Sequence, residues 1–296
     1  MSGSERISPT AYATGYFWYR QGLSHPALAT RQGRRIDRIV RPLLLGTRLL
    51  GGVSMTALMM ARHRGIDHVL GEAIEDGRVG QVIEIAAGLS PRGWDLKRRF
   101  GNKLTYVETD LPHMVALKRR LLADGGLLSP GHRVVELDAL AESGPQSLAA
   151  LAAELDPNIG TAIVTEGLMN YLDAAAARGV WRRIAATLAL FPQGIYLNDL
   201  YLWPRRTDPA SVAFGMLLSA FVRGRMHVHF RNEEDAIEGM KDCGFDDAVL
   251  HHPATIEDTR RYAAIRGGDS VLILDARTTG KATRAGKARK RTPRSR

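Results

Sequence analysis

Short apolar runs alternate with longer segments of helical period along most of the chain. Gln81-Val-Ile-Glu-Ile85 and Thr161-Ala-Ile-Val-Thr165 are β-branched and apolar without a polar face, as strands covered on both sides are. Leu104–Val107, Arg133–Leu137 and Gly194–Asn198 read the same way, and Phe245–Leu250 and Ser270–Asp275 supply a sixth and seventh strand whose order fits a final antiparallel hairpin. Helices are predicted over 62–75, 94–100, 174–190 and 233–242. Strands and helices in alternation predict an α/β fold with a mostly parallel sheet.

Two stretches stand outside this rhythm. Residues 1–61 read as helices, with Tyr12, Tyr16 and Tyr19 on one helical face, arginines at 34, 35, 38 and 41, and an apolar helix over Leu49–Ala61. Pro42 marks a helix start or kink. The connection after the fifth strand is longer than a plain βα loop: Ser211–Arg223 reads as an inserted helix, and His227-Val-His229 as extended chain. These features divide the chain into a helical segment 1–61, an α/β unit 62–276 with an insertion at about 202–230, and a tail 277–296.

The candidate chemistry gathers where strands end. After the first strand, Ala86-Ala-Gly88-Leu-Ser90-Pro91 forms a glycine turn, with Ser90 as N-cap, Pro91 as first helical residue and Gly101 as the stop. Free N–H groups at such a helix start suit a nucleotide-like ligand, and Glu84, pointing into the opening, suits a cationic group. The second strand ends in Glu108-Thr-Asp110, placing carboxylates about 20 residues past the turn, where a ribose diol is usually held. The third ends in Asp138-Ala139, the fourth in Glu166-Gly-Leu-Met-Asn170-Tyr171. Four successive strands thus deliver an acid to one edge. A nicotinamide dehydrogenase would want G-x-G-x-x-G here, and Ala86–Arg92 does not supply it.

Charge changes the picture only at the end of the chain. Nine of the formal +10 lie between Arg277 and Arg296, where there is no acid, so the rest of the chain is near +1. This tail is expected to be disordered, and a solvated tail is a commoner explanation than contact with nucleic acid or an anionic surface. The single cysteine, Cys243, excludes an internal disulfide and reads as a helix-end thiol. The pairs His227/His229 and His251/His252 lack a carboxylate or cysteine at ligand spacing, so no metal is expected. Residues 1–17 carry no secretory pattern and no run is long enough for a membrane span, which sets the expectation of a cytoplasmic protein.

EIAAGLSPRG, YVETDLP, VELDA and TEGLMNYL, in this order and spacing, resemble the leucine carboxyl methyltransferase family of class I S-adenosylmethionine (SAM) enzymes. The likeness covers roughly residues 10–275. It implies a Rossmann-like seven-stranded, mostly parallel sheet, an N-terminal helical lid and a second lid piece after the fifth strand. Residue by residue, it implies that Ala86 and Gly88 line the methionine part of SAM, that Asp110 holds the ribose, and that Asp138 and Ala139 meet the adenine. Glu166 would face the amino group and Arg62 the carboxylate, with Arg64 close enough to compete. Ala86 stands where the family has its first glycine, and Ser90 where an aspartate is usual. The implied activity is SAM-dependent O-methylation, most simply of a carboxylate on a small molecule or peptide. A carboxylate is already ionised at neutral pH and needs no general base. Tyr171 and Asn170 would orient the acceptor, with Tyr16, Arg20, His25 and Arg31 as lid contacts. The alternatives are a hydroxyl O-methyltransferase of small aromatic metabolites and a non-catalytic SAM-binding protein. A nucleic-acid acceptor is not expected, because the fourth strand lacks a Pro-Pro-aromatic ending.

Overall fold

The computed structural model describes residues 8–49, 52–202 and 226–280. Seven strands form one sheet in the order β3-β2-β1-β4-β5-β7-β6. These are β1 (Gln81–Ile85), β2 (Thr105–Asp110), β3 (His132–Glu136), β4 (Thr161–Thr165), β5 (Gln193–Leu200), β6 (Asp247–His251) and β7 (Leu272–Thr279). The first five run parallel, and β7 runs antiparallel to both β5 and β6, as the predicted closing hairpin requires.

The period of two along each strand sorts side chains between two cores. Ile83, Ile85, Val107 and Ile163 face α6 (Leu148–Ala152), α7 (Ala174–Leu188) and α8 (Glu233–Asp242). Val82, Tyr106, Ala162 and Val164 face α3 (Met55–Glu75) and α4 (Arg92–Phe100). Between β2 and β3 lies α5 (Pro112–Asp124), and a short α9 (Arg260–Ala263) packs near α3. The remaining helices, α1 (Ser8–Arg20) and α2 (Arg31–Leu49), pack on each other.

Three predicted boundaries move. A single helix, α3, runs through the expected division at residues 61/62, because Ser54 caps it by accepting a hydrogen bond from the Ala57 N–H at 3.2 Å. The sheet also reaches past the expected start of the tail: Arg277, Thr278 and Thr279 pair with β5, and Arg277 grips the buried Asp275 at 2.6 Å. Pro91 stands just outside α4, and the Arg92 N–H of its first turn donates a hydrogen bond to Ser90 Oγ at 3.3 Å. Gly101 ends that helix at φ +56°, as predicted. The helix expected over 211–223 and most of the 277–296 tail lie outside the described residues. Among the described residues, no helix is long and apolar enough to cross a membrane.

Ala86, just past β1, adopts φ +56°, where a Cβ meets the neighbouring carbonyl. Glycine is the residue this backbone favours. Ala86→Val should therefore lower the unfolding free energy by about 1–3 kcal/mol, while Ala86→Gly should be neutral or slightly stabilising, in urea denaturation.

Candidate active site

Because β1 and β4 are central and parallel, their carboxyl ends open side by side, and a cavity of about 450 Å³ lies there. Its floor is the turn Ala86-Ala87-Gly88. β2 braces that turn: the Gly88 N–H donates to Asp110 Oδ2 at 2.8 Å and the Ala87 N–H to the Thr109 carbonyl at 2.9 Å. The roof is α1, close enough that a Cβ on Gly88 would lie 3.2 Å from Ala11 Cβ, and one on Gly15 only 2.5 Å from Leu89 Cβ. Phe17, Trp18, Met55, Leu58 and Met59 make an apolar wall from α1 and α3.

Behind the floor is a buried charge network that the sequence reading did not find. Arg92, 1% exposed, reaches Asp67 on α3, Glu84 on β1 and Glu166 after β4, each at 2.5 Å. Three elements are thus tied to the first residue of α4. Glu166 also accepts from Arg62 Nε at 2.9 Å and pairs with His63 Nδ1 at 2.8 Å. Burial acts to raise its pKa, but His63, Arg62 and Arg92 outweigh this and hold it well below the usual carboxylate range. His63 in turn stacks on Trp18 with centroids 4.1 Å apart, linking the network to α1.

Asp199, at the end of β5, is the acid with capacity to spare. Its Oδ1 accepts from the Gly167 N–H at 2.8 Å, and its buried Oδ2 stands 3.5 Å from Arg62 Nη1 with no hydrogen bond among the described residues. Burial pushes its pKa up to about 6 despite Arg62. A folded-state pKa above the unfolded value of about 4 means that the folded chain holds this proton more tightly. Stability from Asp199 is therefore full below pH 4 and is lost as pH rises toward 6. The stability of Asp199→Asn relative to the parent should rise across that window and level off above it, measured by urea unfolding at successive pH values.

Of the residues singled out from sequence, Arg62, Glu84, Ala86, Gly88, Glu166, Asn170, Tyr171 and Arg20 line the cavity. Glu84 does find a cationic group, but it is the chain's own Arg92, with the Tyr106 hydroxyl donating at 2.8 Å. Asn170 exchanges two hydrogen bonds with His227, at 2.7 and 2.8 Å, and so pins the extended chain after the insertion. Arg20 pairs with Asp37 of α2 at 3.4 Å. Asp110, Asp138 and Ala139 lie along the β2–β3 part of the same edge, outside the cavity lining.

Four expectations are corrected. Glu108 is fully buried with Lys118 and His132, 2.8 Å away, beneath α4, where a Cβ on Gly93 would strike it at 2.2 Å. It points to no ligand. Tyr16 packs on Tyr19 and Arg34. His25 caps a short turn by accepting from the Ala27 N–H, edge-on to Trp94. Arg31 is exposed at the start of α2. None of these three lines the cavity: Tyr16 holds α1 to α2, His25 holds the turn between them, and Arg31 faces outward.

Strand order and helix placement define a class I methyltransferase fold. A solved structure provisionally named a methyltransferase, from Thermobifida fusca, aligns at a TM-score of 0.60 with 12% identity, covering 90% of this chain and 94% of that one. An O-methyltransferase-named structure from Nostoc punctiforme aligns at 0.51 with 11% identity, covering 90% and 71%. Residues 46–185 match the leucine carboxyl methyltransferase family, which bears out the resemblance over that stretch. A Rhodococcus jostii protein provisionally named an S-adenosyl-L-methionine-dependent methyltransferase is 34% identical over 142 residues, 48% of this chain and 47% of its own length. One of the same provisional name from Mycobacterium ulcerans is 31% identical over 131 residues, covering 44% and 40%. The chain spans less than half the length of these relatives.

Proposed function

We propose that the protein is a SAM-dependent O-methyltransferase whose acceptor is a carboxylate on a small molecule or peptide. The observation that carries the reading is the cavity's paired charge: Arg62 for a carboxylate, and beside it Asp199 Oδ2, buried and able to accept from an ammonium. An amino-acid end of SAM presents both groups. This moves the ammonium contact from Glu166, which is saturated, to Asp199. When bound, SAM would supply a sulfonium methyl group to an ionised oxygen in line, the C–S bond breaking as the O–C bond forms and neutral S-adenosylhomocysteine leaving.

The chain's own work is alignment and exclusion of water. Phe17, Trp18, Met55 and Met59 wall the acceptor space, and Tyr171, whose pKa burial raises, keeps its phenol as a hydrogen-bond donor there. Among the described residues no histidine lines the cavity, in keeping with an acceptor that arrives ionised. A hydroxyl acceptor is the second reading, favoured by Asp199 itself, since a carboxylate with a pKa of about 6 can take a proton.

Incubation with methyl-labelled SAM and an extract of the native cells tests both. Label released by mild base supports an ester and hence the carboxylate; base-stable label on oxygen supports the hydroxyl. Failure to take up SAM or S-adenosylhomocysteine in calorimetry removes the proposal.

A further inference from the structure

We propose that the outer face of α2 docks on an anionic phospholipid surface. Arg31, Arg35 and Arg38 recur at three- and four-residue spacing on this helix and are all exposed. Among them stands Ile39, 77% exposed, the most exposed of the large apolar side chains among the described residues. The opposite face carries Gly33, Ile36 and Val40: Gly33 packs against α1, with a Cβ there only 2.3 Å from the Tyr12 carbonyl, while Ile36 and Val40 line the cavity. Asp37, the only acid of α2, turns to Arg20 and leaves the outer arginines' charge uncompensated within the helix.

A basic stripe with an apolar residue inside it matches a headgroup layer, where guanidinium groups meet phosphates and a branched side chain sinks between lipids. A duplex nucleic acid would satisfy the charge but offers nothing to an exposed isoleucine. From Arg31 to Arg38 the stripe spans about 10 Å, a footprint for a few headgroups. The wall between this face and the apolar cavity is one helix thick. Docking here would place the acceptor space against the bilayer, so that an acceptor poorly soluble in water is taken from it. That last link rests on the methyltransferase reading; the docking does not.

The test is co-sedimentation of the full chain with vesicles of phosphatidylcholine alone or with about 30% phosphatidylglycerol, at low and high salt. Binding to the anionic vesicles that weakens with salt is expected. The triple variant Arg31→Gln, Arg35→Gln, Arg38→Gln should lower the partition coefficient about a hundredfold, at ~10-fold or less per arginine. Ile39→Asp should lower it further than removal of one arginine. A chain lacking residues 281–296 is the control for the basic end of the sequence, and it should still respond to the α2 substitutions. Unchanged calorimetric affinity for S-adenosylhomocysteine in the variants reports that the fold is retained. If the triple variant sediments like the parent, or no vesicle is bound, the proposal is overturned. It is overturned equally if duplex DNA binds with the same dependence on the arginines and Ile39→Asp leaves vesicle binding unchanged. Loss of cofactor uptake in the parent protein would instead overturn the enzymatic reading and leave the docking result standing.

Discussion

Arg92→Met will cost the fold roughly 3–5 kcal/mol in chemical denaturation, because it leaves three carboxylates from α3, β1 and β4 without their shared cation. Methionine fills much the same volume, so the loss is one of charge and hydrogen bonds rather than packing. Arg92→Lys should fall between, since a point charge cannot serve three carboxylates in a plane as a guanidinium does. On the same helix, Arg98→Gln removes an exposed pair with Asp95 and should change stability by no more than about 0.5 kcal/mol. A loss below about 1 kcal/mol for Arg92→Met would show that the network is not what binds α4 to the sheet.

The second large effect separates two neighbouring arginines. Arg62→Gln should weaken S-adenosylhomocysteine binding in calorimetry by about 30- to 100-fold, the loss of a charge-assisted contact worth roughly 2–3 kcal/mol. Glu166 would keep Arg92 and His63 as partners, so the cavity should persist. Arg64→Gln should change the affinity less than about threefold, because Arg64 does not line the cavity. Equal effects from the two substitutions would contradict the proposed placement of the ligand's carboxylate.

That contrast could have been read from the sequence. Two residues along a helix are about 200° apart, so Arg62 and Arg64 cannot both face one cavity once both sit inside α3. The strands were legible because a sheet buried on both sides demands apolar β-branched runs, and the acids at Asp110 and Glu166 followed from where those runs stop. The strand-end rule grouped Glu108 with Asp110. Glu108 shares a face with Asp110 but lies two residues, about 6–7 Å, further from the edge, where α4 already covers it. Asp199 was missed because the fifth strand was ended at Asn198, although the rule of an acid at each strand end already pointed one residue on. Arg92 carried no local signal: only the three-dimensional meeting of Asp67, Glu84 and Glu166 gives it a role. Tyr16, His25 and Arg31 were assigned by likeness to the family; Tyr16 instead packs on Arg34 of α2, His25 caps a short turn, and Arg31 stands exposed.

The contact of α1 with the glycine turn has a further consequence. Ala11 and Gly15 lie against Gly88 and Leu89 with no room for a larger side chain on either partner. Any replacement of α1 must therefore keep small residues at both places, or the helix will lift off the turn. The helix and the turn thus behave as one packed unit, and substitutions should be tolerated best on the parts of α1 and α2 that do not touch it.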